Sequence, residues 1–364
     1  MGTKTLSMNK KNHIKEIERT HLTDSDRCGD APESVSMDNS KKAGSSRKKL
    51  SCLLAAAAGL AGAAALFLGT RRRNSVPEMN ERRVPKGQTD FQDRDHLIYC
   101  PESNLNRRLL PLESAINMRD LGGYTGTDGR KTKWNKLYRS EELAHLSRFD
   151  QDQLSDLGID YIFDFRDEKK AANLPDFIPE GAVYENIPIL KGIKGNYKTL
   201  DYDDPDAIDG YMRNLYDYQV RSTAQAFARI LHILADEPDA KIMFHCTNGK
   251  DRTGFMAALL LLLAGVPEET IISDYTLTNL TFDEAFKTLG TIMAENFGEE
   301  AGVTRDRLRD FFGVKPEWLK IQLDFMRSAG GIDAYLLNNT DLTAGDLKRI
   351  RSNITESEPV KYDL

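Results

Sequence analysis

His245-Cys246-Thr247-Asn248-Gly249-Lys250-Asp251-Arg252-Thr253-Gly254 decides how this chain is read. The apolar run Lys241-Ile242-Met243-Phe244 leads into it, and the apolar run from Gly254 to Ala264 leaves it. The first reads as a buried strand ending at His245, the second as a buried helix. A strand, a tight loop and a helix start form an anion cradle: loop amides converge on one point and the helix dipole adds positive potential there. Cys246 heads the loop. Those amides and Arg252 favour its thiolate, which predicts a pKa well below the free value of about 8.5. A thiolate is a good nucleophile for phosphorus. Five residues separate Cys246 from Arg252, enough for Thr247, Asn248, Gly249 and Lys250 to wrap a tetrahedral oxyanion while Arg252 returns to grip two of its oxygens. Thr253 follows, with a hydroxyl that can serve the sulfur.

A lone cysteine is more often a small buried hydrophobe than a nucleophile, so the neighbours carry the argument. The chain has four cysteines, Cys28, Cys52, Cys100 and Cys246, with no CxxC pair and no metal-type spacing. Only Cys246 falls in the dense part of the sequence, which speaks against a disulfide framework. No metal and no cofactor are expected.

Outward from the loop, Tyr161–Phe165 and Tyr184–Leu190 read as further strands, and Ser147–Leu157 as a capped helix stopped by Gly158. Ile208–Ala235 carries one long helical pattern. Beyond Ala264 the pattern is all-helical, with helices expected at about 267–279, 281–297, 316–328 and 342–353; Pro267 and Pro316 sit at first helical positions. Strands alternating with helices predict an α/β fold with a mainly parallel central sheet flanked by helices, and an all-helical C-terminal part.

The N-terminal third is different. Residues 1–49 are polar without periodicity and read as disordered. Residues 50–69 carry no charge and are bracketed by Arg47-Lys48-Lys49 and Arg71-Arg72-Arg73. Twenty helical residues reach about 30 Å, enough to cross a bilayer. This segment reads as a transmembrane span or signal anchor, 70–104 as a linker, and 105–356 as the catalytic domain. Five Lys and Arg within 15 residues on each side of the span set no orientation. Met37 is a possible alternative start.

Residues 1–100 carry 18 Lys and Arg against 12 Asp and Glu, while residues 101–364 carry 32 against 44. An acidic body argues against a general nucleic-acid binder, which needs a basic face. Any positive charge for a phosphorylated partner must be local.

The full string His245-Cys246, five residues, Arg252-Thr253-Gly254 resembles the signature of the cysteine-based protein tyrosine phosphatases. Asn117-Met118-Arg119-Asp120-Leu121-Gly122-Gly123-Tyr124 resembles the opening motif of the bacterial atypical members, which are similar to secreted lipid and tyrosine phosphatases of intracellular pathogens. Leu137-Tyr138-Arg139-Ser140, Asp164-Phe165-Arg166, Asp274-Tyr275, Gly313–Trp318 and Gly331–Leu336 fit the same family. The resemblance covers roughly residues 105–355.

The resemblance implies that Cys246 attacks and holds a phosphocysteine, that Arg252 binds the phosphoryl group, and that Asp251 is general acid and then base. No Trp-Pro-Asp loop is present to supply the acid, and Leu174-Pro175-Asp176 is the weaker substitute. Lys250 would add a second cation at the loop mouth. His245 would order the loop, with Asp164 and Arg139 in support or merely structural, and Arg119 with Asp120 capping or pairing locally. Tyr197–Tyr218 would form either a lid or ordinary core. Expected substrates are phosphotyrosine proteins, with phosphoserine, phosphothreonine, and phosphoinositides or inositol phosphates as alternatives. A silent phosphate-binding module is the reading from another class, disfavoured because Cys246, Asp251 and Arg252 are all present. The catalytic body of a membrane-anchored enzyme of this kind is expected outside the cytoplasm.

Overall fold

The computed structural model describes residues 107–189, 204–297 and 313–357. The expected disordered region, span and linker of residues 1–104 lie outside them. Among the described residues no helix is long and apolar enough to cross a membrane.

In chain order the strands are β1 (Arg119–Asp120), β2 (Lys131–Thr132), β3 (Leu137–Ser140), β4 (Tyr161–Asp164), β5 (Val183–Asn186), β6 (Ile242–His245) and β7 (Thr355–Glu356). Five of them form the central sheet in the order β1-β3-β6-β4-β5. The β3–β6, β6–β4 and β4–β5 pairings are parallel and β1 is antiparallel, so the mainly parallel sheet is observed. β2 and β7 form a separate antiparallel pair.

The central strand β6 is buried at all four positions, as an inner parallel strand covered on both faces must be. Its side chains alternate. Ile242 and Phe244 join the large core with Leu137 and Phe163, whereas Met243 joins Tyr138, Ile162, Leu143 and Leu154 on the opposite face. Helix α1 (Arg148–Asp156) belongs to that second face; its Ser147 side chain accepts from Asp150 N, the expected N-cap. Helix α2 (Glu168–Asn173) follows β4.

The expected long helix over Ile208–Ala235 is two helices, α3 (Pro205–Ser222) and α4 (Ala224–Asp236). They break at Thr223, whose hydroxyl bonds back to the Gln219 carbonyl at 2.7 Å. Helix α5 (Asp251–Leu263) is apolar on every side and buried nearly throughout, so it forms the axis of the core. The pair expected at 267–279 and 281–297 is one helix, α6 (Glu268–Phe297), because neither Gly nor Pro interrupts the junction. Helices α7 (Pro316–Ser328), α8 (Gly331–Asn339) and α9 (Ala344–Ile354) complete the helical part; α8 was not expected. The strand expected over Tyr184–Leu190 is the shorter β5.

Candidate active site

The cysteine loop leaves the C-terminal end of β6 and enters the N-terminus of α5, the place where an open parallel sheet presents a ligand crevice. Three successive loop carbonyls are held from outside. Thr247 O accepts from Glu142 N at 3.2 Å, Asn248 O from Asn117 Nδ2 at 2.9 Å, and Gly249 O from Arg139 Nη2 at 2.8 Å. In a trans peptide the next N–H points opposite the carbonyl, so the amides of Asn248, Gly249 and Lys250 face the loop's interior. That is an anion cradle built from backbone alone. Gly249 adopts φ +64°, and a Cβ there would lie 2.5 Å from Ser140 O, so only glycine fits.

Cys246 is buried and unoxidised at the head of the loop. Arg252 folds back toward that head: Nη1 donates to Phe165 O at 2.9 Å and Nη2 reaches Thr247 Oγ1 at 3.4 Å. Thr253 Oγ1 is buried with no protein partner among the described residues. Asp251, at the start of α5, accepts from Tyr216 OH on Oδ1 at 2.7 Å. Lys250 is 5% exposed, donates to Gly313 O at 3.1 Å and stands 3.9 Å from Asp251 Oδ2. Its ammonium, expected at the loop mouth, packs against the turn before α7.

A sequence profile described as the tyrosine phosphatase family matches residues 110–356. The chain belongs to this family. A Cupriavidus necator protein named "Putative tyrosine-protein phosphatase" is 29% identical over 66% of this chain and 88% of its own length. A Nostoc commune tyrosine-protein phosphatase is 32% identical over 38% of this chain and 47% of its own. The triple specificity protein phosphatase PtpB of Mycobacterium tuberculosis is 26% identical over 66% of this chain and 96% of its own. Among solved structures, that of TpbA from P. aeruginosa aligns at 15% identity with a TM-score of 0.23, covering 50% of this chain and 89% of that one.

Two buried polar networks hold the phosphatase's loop. In the first, Asp274 on α6 takes Arg119 Nε at 3.0 Å, Arg139 Nη1 at 2.7 Å and Tyr124 OH at 2.9 Å. Burial alone would raise Asp274, but the two guanidinium groups outweigh it and hold the carboxyl well below the usual range. Burial and the neighbouring Arg119 lower Arg139 to about 10. Arg119 therefore pairs across the molecule and not with Asp120, so of the two local roles expected, pairing is absent and capping is seen. Asp120 instead caps locally, accepting from Gly122 N and Asn135 N at 2.7 Å each.

The second network lies on the sheet face away from Cys246, because His245 alternates to the other side of β6. There His245 Nε2 is 3.4 Å from Asp176 Oδ2 and Nδ1 is 3.9 Å from Asp164 Oδ1. Arg166 binds both carboxylates, through Nε to Asp164 at 2.9 Å and through a short Nη2 contact to Asp176. Burial lowers His245 to about 4, so it is neutral at pH 7, fitting an ordering role better than proton transfer. Asp176 is raised to about 7 by burial and by the Asp164 charge, which Arg166 only partly offsets. It is bound to Leu143 N at 2.7 Å as well, so it braces the back of the loop.

Sequence reasoning missed Asn117 as a loop holder, although its motif was in view. It also missed Lys170, whose Nζ donates to Thr247 Oγ1 at 2.9 Å, and Tyr216. Of the tyrosine-rich stretch, Tyr216 is wholly buried; Tyr197 and Tyr202 lie outside the described residues. No spacing in the sequence links Lys170 or Tyr216 to residues that far along the chain.

Proposed function

We propose that this phosphatase hydrolyses phosphotyrosine in proteins through a phosphocysteine on Cys246. The Sγ thiolate attacks phosphorus; the S–P bond forms as the P–O bond to the phenol breaks. Asp251 gives its proton to the departing phenolate oxygen. Water then attacks phosphorus, Asp251 takes its proton, the S–P electrons return to sulfur, and inorganic phosphate leaves. Arg252 and the inward amides of Asn248, Gly249 and Lys250 hold the equatorial oxygens in both steps. Thr253 Oγ1 serves the sulfur as it is released.

The observation that supports this reading best is the outward anchoring of three consecutive loop carbonyls beside a returned Arg252 guanidinium. Cys246→Ser tests it: hydrolysis of p-nitrophenyl phosphate and of a phosphotyrosine peptide should fall below detection while the fold is kept. A serine variant as active as the parent would sink the mechanism.

A broader range, taking in phosphoserine, phosphothreonine and phosphoinositides, is supported by the name of the mycobacterial relative, a triple specificity phosphatase. A substrate panel at matched concentration separates the two. The uncharged run 50–69 between basic triplets supports a membrane tether; a body outside the cytoplasm is the accompanying proposal, on which the flanking charges are silent. Extraction of the full chain from membranes by alkaline carbonate would remove the tether, and protection of the body from protease on intact cells would remove the location.

A further inference from the structure

We infer that Tyr216, backed by Tyr275, is a positioning residue that decides which oxygen of Asp251 carries the transferable proton. This rests on the reading of Asp251 as general acid. Tyr216 comes from α3 and Tyr275 from α6, two helices remote in sequence from the loop. Both side chains are at most 1% exposed. Their hydroxyl oxygens are 2.6 Å apart, and Tyr216 OH is 2.7 Å from Asp251 Oδ1. The rings meet edge to face with centroids 6.3 Å apart, and Trp318 packs on Tyr216 at 6.2 Å. Trp318 is itself held by its Nε1–H to Asp209 Oδ1 at 2.7 Å.

The direction of this chain follows from counting protons. Each phenol has one to give. If Tyr275 donates to Tyr216 and Tyr216 to Asp251, every hydroxyl proton has an acceptor. In the reverse order Tyr275's proton has no acceptor among the described residues, and a buried unmade hydrogen bond costs about 1–3 kcal/mol. The order is therefore Tyr275 to Tyr216 to Asp251. A carboxyl oxygen that spends one lone pair on a phenol proton is the less basic of the two and the poorer seat for the carboxyl's own proton. Oδ1 is thus engaged by Tyr216, and Oδ2, which among the described residues has only Lys250 Nζ near it at 3.9 Å, beyond hydrogen-bond reach, is the oxygen left to bear the proton for the leaving group. The same bond fixes the carboxyl's rotation at the first turn of α5, where Gln219 Nε2 also reaches Asp251 O at 3.5 Å.

The test is kinetic. Tyr216→Phe should lower kcat/KM on a phosphotyrosine peptide, the quantity that reports P–O cleavage, about tenfold, a fraction of the 10²–10⁴-fold that a general acid contributes. An aryl phosphate whose phenol is strongly acidic needs no proton, so with it the loss should stay under about twofold. In an Asp251→Asn background Tyr216→Phe should add nothing further. Tyr275→Phe should show the same substrate selectivity, weaker, and stands in if Tyr216→Phe does not fold. Equal losses on both substrates, or a Tyr216→Phe loss that multiplies with that of Asp251→Asn, would show a merely structural tyrosine and overturn the inference alone. An Asp251→Asn enzyme as active as the parent on both substrates would instead remove the general-acid reading beneath it.

Discussion

Arg139 donates to the carbonyl of Gly249 from one guanidinium nitrogen, at 2.8 Å, and to Asp274 from the other, at 2.7 Å. One side chain at the end of β3 thus ties the nucleophile loop to α6. Arg139→Met should leave Gly249 O unanchored and Asp274 with a single cation. Breaking a buried pair in this way costs about 3–5 kcal/mol. Urea melts should show that loss, and the vanadate inhibition constant should rise by at least tenfold. Unchanged vanadate affinity would mean the loop keeps its shape without this bond.

Gly249 offers a sharper cut. Alanine at φ +64° costs roughly 1 kcal/mol of backbone strain, and its methyl would meet the Ser140 carbonyl at 2.5 Å. The peptide planes on either side must turn, taking the inward amides with them. Gly249→Ala should therefore lose on the order of a hundredfold in kcat/KM, with the circular dichroism spectrum of the parent. Activity within threefold of the parent would contradict the amide cradle.

Stability should respond to pH through Asp176. Its folded pKa of about 7 lies above the ordinary 3.8, so between those values the folded chain holds a proton that the unfolded chain has shed. Its burial then destabilises the fold progressively as pH rises through that window, fully above about 7 and not at all below about 3.8. His245, lowered to about 4, acts with the opposite sign between about 4 and 6.5. Asp176→Asn removes one side of this opposition. The difference in Tm, variant minus parent, should grow as pH rises from 4.5 to 7.5. A constant difference would show that Asp176 does not titrate in that range.

Chelation should leave the enzyme untouched, because in the proposed mechanism the charge that meets the phosphoryl group comes from the Arg252 guanidinium and the loop amides. Among the described residues Asp164, Asp176 and His245 place ligand atoms close enough to hold a metal, but Arg166 already lies against both carboxylates. Full kcat in excess chelator, with inhibition by vanadate, is the expected result. Activity restored only by an added divalent ion would count against it.

Much of the cysteine loop was legible in the sequence because it is local: Cys246, Asp251, Arg252 and Thr253 sit within eight positions, between two apolar runs that declare a strand and a helix. Arg139, Asp164 and His245 came into view through short motifs but without their partners. The partnership of Arg119 with Asp274, of Lys170 with Thr247 and of Tyr216 with Asp251 depends on how helices pack, which no periodicity reveals. Helix boundaries failed for the same reason. The break at Thr223 is a side-chain bond, and the unbroken α6 is sustained by packing over a junction with weak helix formers, Thr278, Asn279 and Thr281.

The pairing of Lys131 with Glu356 has a further consequence. A ribosome makes Cys246 before it makes β7, the partner of β2, and before α6, which carries Asp274 and Tyr275. A nascent chain therefore holds Cys246 and Asp251 before it has Asp274, which anchors Arg139, and Tyr275, which backs Tyr216.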